Sequence, residues 1–165
     1  MKMRYLIFSD VHGNAHALQH AIYMATEHDE PGTAYTFISC GDLIDRGRHT
    51  RNCFDFLLSQ PGEKIWLAGN HEALLLESLT GNVAALESWV NGGFGAQATM
   101  WSYGFSPGRI GTANNAVWFD DKRIVTAADV GAVLLAVFGE RHLAAIESSG
   151  YKTEPFAKVL TSPPT

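Results

Sequence analysis

Three short segments of this chain carry residues whose types suit metal and phosphate chemistry. They are residues 10–13, 41–47 and 69–72, which read DVHG, GDLIDRG and GNHE. Each segment places carboxylate, imidazole or amide groups beside glycine, directly after a short apolar run typical of a strand. In α/β sheets, ligand sites form at the carboxyl ends of the strands. We therefore expect the three segments to converge on one site.

The first set of candidate residues suits a pair of divalent metal ions. Asp10 and His12 are spaced so that both side chains can reach one ion, and the two oxygens of Asp42 can bridge two ions. Asn70 adds an amide oxygen without further negative charge. Mixed nitrogen and oxygen ligands favour Mn, Fe or Zn over Ca. Two ions about 3.5–4 Å apart bind a phosphate and activate a water molecule for in-line attack.

A second set suits the handling of a phosphoric ester. Arg46 can hold two phosphate oxygens through parallel hydrogen bonds. His71 follows a candidate metal ligand directly and can protonate the leaving oxygen. Asp45 can orient His71 and keep its imidazole charged.

In this order the three segments resemble the DxHG, GDxxDRG and GNHE signature of calcineurin-like metallophosphoesterases. The complete GDxxDRG segment is similar to that of the bacterial serine/threonine phosphoprotein phosphatases. The convincing resemblance covers residues 4–76, and a weaker one extends to about residue 150. It implies a layered α/β fold, metal ligation by Asp10, His12, Asp42 and Asn70, phosphate contacts from Arg46 and Asn70, and proton donation by the Asp45–His71 pair.

The second half of the chain departs from that family. The family has two further histidine ligands there, in His-Ala-Gly-like and Gly-His-Thr-like segments, and neither segment occurs in this sequence. The resemblance therefore implies an incomplete second sheet, with an unpaired edge and an uncovered apolar face. Three explanations stay open: a truncated gene product, a partner or dimer mate that covers the face, or a reduced fold. As substitute ligands we considered His16, His20 and His142, and we assign all three to solvated helix faces.

The first eighty residues alternate strand and helix patterns. Apolar runs predict strands at residues 4–9, 34–39 and 64–68, and helical periodicity predicts helices at about 14–28, 49–59 and 72–79. Asn14 is a suitable cap for the first helix. The apolar face of that helix contains Leu18, Ala21, Ile22 and Ala25. This alternation favours α/β layering with parallel strands.

The pattern changes after Gly81. Residues 91–128 combine many glycines and scattered aromatic residues with little periodicity, which predicts a cap with short helices. Residues 128–147 return to a helical pattern, and the tail at 161–165 is rich in serine and proline. We expect one domain over 1–165, divided into a metal-site core at 1–80, a cap-like segment at 81–128, and a helix with a tail at 129–165. The four tryptophans are assigned to core or cap packing.

Composition limits the partners and the compartment. The 165 residues carry a net charge of −5, which gives little counterion release and argues against bulk nucleic acid as the partner. Cys40 and Cys53 fit no disulfide or zinc pattern, which favours a reducing compartment. No apolar run approaches the roughly 20 residues that span a bilayer. We expect a cytoplasmic protein with no membrane partner.

The sequence thus predicts an enzyme: a metal-dependent phosphoric-ester hydrolase with two divalent ions, Mn being favoured and Fe or Zn alternatives. Its phosphorylated substrate is a phosphoprotein side chain or a nucleotide, so that a dinucleoside polyphosphate hydrolase remains an alternative. A second alternative is a non-catalytic phosphate-binding or metal-binding remnant. A third is a degenerate fragment with a molten core.

Overall fold

The computed structural model describes residues 2–105, 111–113, 116–119, 123–126, 134 and 138–148. Six strands and six helices lie in this part of the chain. In chain order they are β1 Met3–Phe8, α1 Ala15–Thr26, β2 Ala34–Ser39, α2 Thr50–Ser59, β3 Glu63–Trp66, α3 Asn70–Leu79, α4 Val83–Asn91, α5 Ala96–Ser102, β4 Gly111–Ala113, β5 Ala116–Phe119, β6 Arg123–Thr126 and α6 Glu140–Glu147.

The first three strands form a parallel sheet in the order β1-β2-β3, with β2 in the centre. Ile7 pairs with Ile38, and Ile38 pairs in turn with Ile65, so that the three side chains share one face. The predicted strand–helix alternation and the parallel pairing are confirmed. All three strands end at the same edge, directly before the three loops that carry the candidate residues.

Helix α1 begins where the sequence predicts, because the Asn14 side chain accepts a hydrogen bond from the Ala17 backbone N–H at 3.3 Å. Its apolar face is covered only over the first turns: Leu18 is buried and Ile22 is half-buried. Ala21 and Ala25, which the sequence pattern places inward, are exposed. That part of the prediction was wrong, because periodicity identifies an apolar stripe but not how far the neighbouring layer extends along it.

The cap-like segment contains more regular structure than its composition suggests. After α4 and α5, the strands β4, β5 and β6 form a separate antiparallel sheet in which Val117 pairs with both Thr112 and Val125. These strands have three or four residues each and were not predicted. Their shortness leaves no clear period of two to detect. The fold of the described residues is thus α/β, with a small parallel sheet, helices and a second, three-stranded antiparallel sheet.

The predicted helix over 128–147 is interrupted. Gly139 has φ +76°, a left-handed conformation that ends a helix, and α6 starts at the next residue. Leu134 and Phe138, before the break, are buried. The rest of the predicted segment before Gly139 and the tail at 161–165 lie outside the described residues.

The two faces of the parallel sheet differ in exposure. One face carries Leu6 and Phe37, which are 8% and 4% exposed and belong to the main core with helix residues such as Phe54, Leu57, Leu75 and Trp89. The other, which we name the outer sheet face, carries the half-buried Ile38 and five more exposed apolar residues, Met3, Tyr5, Ile7, Ile65 and Leu67, with exposures of 37–65%. In the described residues no helix has both the length and the apolar character needed to cross a membrane.

Candidate metal and phosphate site

Backbone hydrogen bonds join the first loop (residues 10–13) to the second loop (residues 41–47). The His12 N–H donates to the Asp42 carbonyl at 2.9 Å, and the Gly13 N–H donates to the Leu43 carbonyl at 2.8 Å. The third loop (residues 69–72) packs against the second at Gly69, where a Cβ atom would lie 2.0 Å from Oδ1 of Asp42. Only glycine allows this approach. The predicted convergence of the three loops is what the structure shows.

The backbone of these loops is unusual. Five non-glycine residues among those described have a positive φ, and each of them is a predicted site residue. They are Asp10 (54°), His12 (45°), Asp42 (55°), Asp45 (70°) and Arg46 (65°). A left-handed conformation at a non-glycine residue costs on the order of 1–3 kcal/mol and persists only where neighbouring contacts enforce it. The clustering of this strain identifies the loops as a functional site independently of the residue types.

Glu72 makes some of the contacts that hold these loops in their strained backbone conformation. Its buried carboxylate accepts the backbone N–H groups of Asp42 (2.8 Å), Leu43 (2.8 Å), Ile44 (3.2 Å) and Gly69 (2.9 Å). One side chain therefore fixes the second loop to the start of α3. From the sequence, Glu72 was identified only as part of a motif, without a role of its own. The capping pattern of a glutamate three residues into a helix was the available signal.

The His12 imidazole is arranged as a metal ligand. Its Nδ1 lies 2.9 Å from the Ile44 carbonyl, which can only accept, so the proton is on Nδ1 and the lone pair is on Nε2. Nε2 is buried and has no hydrogen-bond partner among the residues that the structure describes. A histidine ligand typically donates its other ring N–H to a carbonyl in this way. An unpartnered buried imidazole nitrogen among carboxylates fits a bound cation.

The neighbouring groups fit the same interpretation. Oδ1 of Asp10 lies 3.8 Å from Nε2 of His12, and two ligands that each lie about 2.0–2.2 Å from one ion are separated by roughly 3–4 Å. Ligand atoms of His12, Asp42 and His71 all lie within 4.8 Å of one another. Asn70 is exposed at the first position of α3, next to His71. The residues present therefore fit a metal centre.

His71 is held differently from His12. Its Nδ1 lies 2.7 Å from Oδ2 of Asp45, and both residues are buried. This hydrogen bond raises the pKa of His71 above its usual value; burial opposes the rise, the charges of Asp45 and Asp42 add to it, and Arg46 opposes it. A raised pKa increases the protonated fraction at neutral pH. An imidazole held in this way is suited to proton donation.

Arg46 lies beside this pair. Its Nη2 is 3.4 Å from Nε2 of His71, which accepts the guanidinium N–H when the imidazole is neutral. When the imidazole is protonated, both groups present N–H donors to the same space. Two cationic donors at this separation repel each other unless an anion lies between them. The arrangement suits a phosphate oxygen.

A cavity of about 500 Å³ adjoins Arg46 on the side of the cap. Its walls include the exposed side chains of Asn91, Gln97 and Trp101. Trp101 is 41% exposed, and the Arg48 guanidinium lies 4.8 Å from its ring centre. This exposure differs from the packing role predicted for the tryptophans, which Trp89, at 0% exposure, fulfils.

The histidines considered as substitute ligands lie outside the metal cluster. His16 and His20 are exposed, as predicted. His142 was predicted to be solvated, and that was wrong, because α6 packs against α2 and buries it to 6% exposure. Its Nδ1 lies 2.7 Å from the Tyr103 hydroxyl and its Nε2 lies 3.1 Å from Oδ1 of Asp55.

A model of the calcineurin-like phosphoesterase family matches residues 3–158. No curated protein matches the chain. Among solved structures, the chain is similar to a protein serine/threonine phosphatase from Saccharomyces cerevisiae that has similarity to human phosphatase PP5, with 20% sequence identity and a TM-score of 0.32. The match covers 58% of this chain and 32% of that one, so the chain spans about a third of that phosphatase's length.

Proposed function

The chain belongs to the calcineurin-like phosphoesterase family, and from this premise we propose that it is a metal-dependent phosphatase acting on phosphoric monoesters. The observation that carries the proposal is the meeting of two cationic donors, Arg46 and His71, beside the unpartnered Nε2 of His12. Such a site can accept a metal-bound phosphate on one side and donate protons to it on the other.

Each residue then has a role of its own. Asp10, His12, Asp42 and Asn70 hold two divalent ions, for which we favour Mn. When bound, such ions supply Lewis acidity and lower the pKa of a coordinated water. Arg46 binds the phosphate oxygens and orients the ester. His71 delivers a proton from Nε2 to the leaving oxygen, while Asp45 holds the Nδ1 proton and so fixes the direction of Nε2.

For the substrate we favour a phosphoserine or phosphothreonine side chain, because Arg46 and the His71 acid suit an alkyl phosphate whose leaving oxygen needs a proton. A dinucleoside polyphosphate hydrolase is a second candidate. The cavity beside Arg46 favours it, since 500 Å³ suffices for a nucleoside and Trp101 offers a stacking surface. Comparing phosphopeptides with a dinucleoside polyphosphate by kcat/KM decides between the two.

Two further proposals concern a partner chain and the cellular compartment. We infer that a second chain, a partner or another copy, covers the outer sheet face, five of whose apolar side chains are 37–65% exposed. Sedimentation velocity of the purified chain tests for a dimer.

We also place the protein in the cytoplasm, because Cys53 is buried and Cys40 exposed without a disulfide between them.

The decisive experiment measures hydrolysis of p-nitrophenyl phosphate with Mn²⁺, comparing the chain with Asp42→Ala. We expect a Mn²⁺-dependent rate that falls at least about 100-fold in Asp42→Ala. Glu30→Ala, an exposed acidic residue in a turn away from the loops, is the matched control and keeps the rate. A folded chain that binds Mn²⁺ by calorimetry without turnover contradicts the enzyme and leaves a binding module. A chain that neither binds nor folds leaves a fragment.

A further inference from the structure

Two residues of the cap-like segment bind the carboxylate that directs the proposed proton donor. On the basis of the phosphatase function proposed above, we propose that Trp89 and Thr99 are positioning residues for leaving-group protonation, because they fix the Asp45 carboxylate and through it the orientation of His71. The cap-like segment thereby contributes to the chemistry as well as to the walls of the cavity.

The Asp45 carboxylate accepts three hydrogen bonds. Oδ1 accepts the Thr99 hydroxyl at 2.8 Å. Oδ2 accepts the Trp89 indole N–H at 2.7 Å as well as the His71 Nδ1–H at 2.7 Å. Asp45, Trp89 and Thr99 are each 0% exposed, so water does not offer an alternative partner. With one donor on Oδ1 and two on Oδ2, the plane of the carboxylate has a single orientation.

The direction of each proton near Thr99 follows from its neighbours. The Asp45 backbone N–H donates to Oγ1 of Thr99 at 2.6 Å, and the Thr99 hydroxyl proton goes to the carboxylate. Thr50, whose Oγ1 is 3.2 Å from Oγ1 of Thr99, must therefore donate to it. Thr99 is thus bonded to the main chain and to the side chain of the same aspartate.

The cap also fixes the strained backbone at this point. Asp45 and Arg46 both have positive φ, and the Arg46 N–H donates to the Gly95 carbonyl at 3.2 Å. A Cβ at position 95 would lie 2.7 Å from the Arg46 nitrogen, so that glycine allows this contact. The backbone of both residues is therefore anchored to α5 and the turn before it.

A purely structural role makes a different prediction from a positioning role. If Trp89 served only to fill the core, a phenyl ring would replace most of its packing and the indole N–H would not matter. If Trp89 positions Asp45, loss of the indole N–H allows the Asp45 carboxylate to rotate. The His71 imidazole is then no longer held in one orientation, while phosphate binding is unchanged. The two roles separate when leaving groups of different basicity are compared.

The test measures kcat and KM of Trp89→Phe and Thr99→Val with Mn²⁺ on phenyl phosphate and on 2,4-dinitrophenyl phosphate. Phenolate is a poor leaving group that needs a proton, whereas dinitrophenolate leaves without one. General acid catalysis contributes typically 10²–10⁴-fold. We expect kcat on phenyl phosphate to fall at least about 30-fold, kcat on dinitrophenyl phosphate to stay within about 3-fold, and KM to be unchanged for both.

Two variants serve as controls. Thr99→Ser retains the hydroxyl and is expected to restore kcat on phenyl phosphate to within about 3-fold of the wild type. Trp66→Phe removes an indole from a half-buried position in β3, away from Asp45, and is expected to lower both rates equally or not at all. Equal losses on both substrates in Trp89→Phe and Thr99→Val, or no loss on either, overturn the proposal.

A measurement without turnover separates this inference from the phosphatase function. The Nδ1–H proton of His71, bonded at 2.7 Å in a buried site, is expected to give a downfield proton resonance that disappears in His71→Asn. We expect Trp89→Phe and Thr99→Val to shift or remove it and Thr99→Ser to keep it. An unchanged resonance in both variants refutes the positioning role, even if the chain has no phosphatase activity.

Discussion

The site loops and the outer sheet face lie on the same three strands, yet their groups are partnered to different degrees. At the carboxyl edge, Glu72 alone accepts four backbone N–H groups, and the Asp45 carboxylate accepts three side-chain donors. On the outer sheet face, Tyr5 and Ile7 are 60% and 65% exposed. The site is thus built from contacts within the described residues, whereas the sheet that supports it has one uncovered face.

The orientation of the site residues and the stability of the sheet therefore depend on different contacts. The orientation of the catalytic groups depends on the second and third loops, α3, α4 and α5, none of which requires a group on the outer sheet face. The stability of the sheet depends on burial of both faces, because each buried apolar side chain contributes about 1.5–3 kcal/mol. A chain of this kind can have a well-formed site on a marginally stable scaffold.

The largest expected effect comes from Glu72→Gln. The amide is neutral and has one acceptor oxygen, so that all four backbone N–H groups lose a charged partner and two of them lose their acceptor. At about 1.5–3 kcal/mol for each bond to a charged group, we expect a loss of roughly 3–5 kcal/mol in the free energy of unfolding. Urea denaturation measures it, with Glu30→Gln on the surface as the control. A loss below 1 kcal/mol would mean that the loops hold together without Glu72.

The next effect compares two neighbours on β1. Leu6 is 8% exposed and faces the core, whereas Ile7 is 65% exposed on the outer sheet face. We expect Leu6→Ala to lower the free energy of unfolding by about 2–4 kcal/mol at every protein concentration, and Ile7→Ala by less than about 0.5 kcal/mol in the dilute single chain. Both are measured by urea denaturation at several protein concentrations. If another copy covers this face, as proposed above, the loss in Ile7→Ala grows with concentration; a loss that stays below about 0.5 kcal/mol at every concentration contradicts a covering copy.

The smallest expected effect is a pH dependence from His142. Burial lowers the pKa of His142; Asp55 opposes the shift, and Arg141 and Arg51 add to it. Because the folded-state pKa is below the unfolded value of about 6.5, the unfolded chain binds more protons in mild acid. The stability that His142 contributes is therefore complete above about pH 6.5 and is lost as the pH falls below it.

Denaturation at pH 7.5 and 5.5 tests this prediction through the difference between the wild type and His142→Gln. The difference is needed because His71 has a raised pKa and favours the folded state as the pH falls. The exposed His16→Gln is the control and should keep the wild-type pH dependence. A pH dependence that is the same in His142→Gln and in the wild type contradicts the assignment.

Those parts of the molecule that depend on short stretches of sequence were predictable. The three strands, their parallel order and the loops that follow them could be inferred because strand, turn and helix signals alternate over a few residues. The Asn14 cap was predicted for the same reason. The pairing of His71 with Asp45, 26 positions apart, was predicted from the chemistry of the two residue types and from the resemblance of their segments to the phosphoesterase signature.

The remainder depends on contacts between distant residues. Trp89 and Thr99 bond Asp45 across 44 and 54 positions, from a segment with little periodicity, so that nothing local marks their role. His142 is bonded to Asp55, which is 87 positions away. Likewise, the exposure of Ala25 follows from where the neighbouring layer ends, a property of the tertiary structure alone.

The separation of Asp45 from its donors has a consequence for biosynthesis. The hydrogen bonds between the first three loops can form once residue 72 has left the ribosome, because every group in them precedes that point. Among the described residues, the last of the three donors to the Asp45 carboxylate is available only after Thr99 has emerged. A nascent chain that ends between these positions would carry the candidate metal ligands without a fixed proton donor. Of the described contacts in the site, those that orient the proton donor therefore form last.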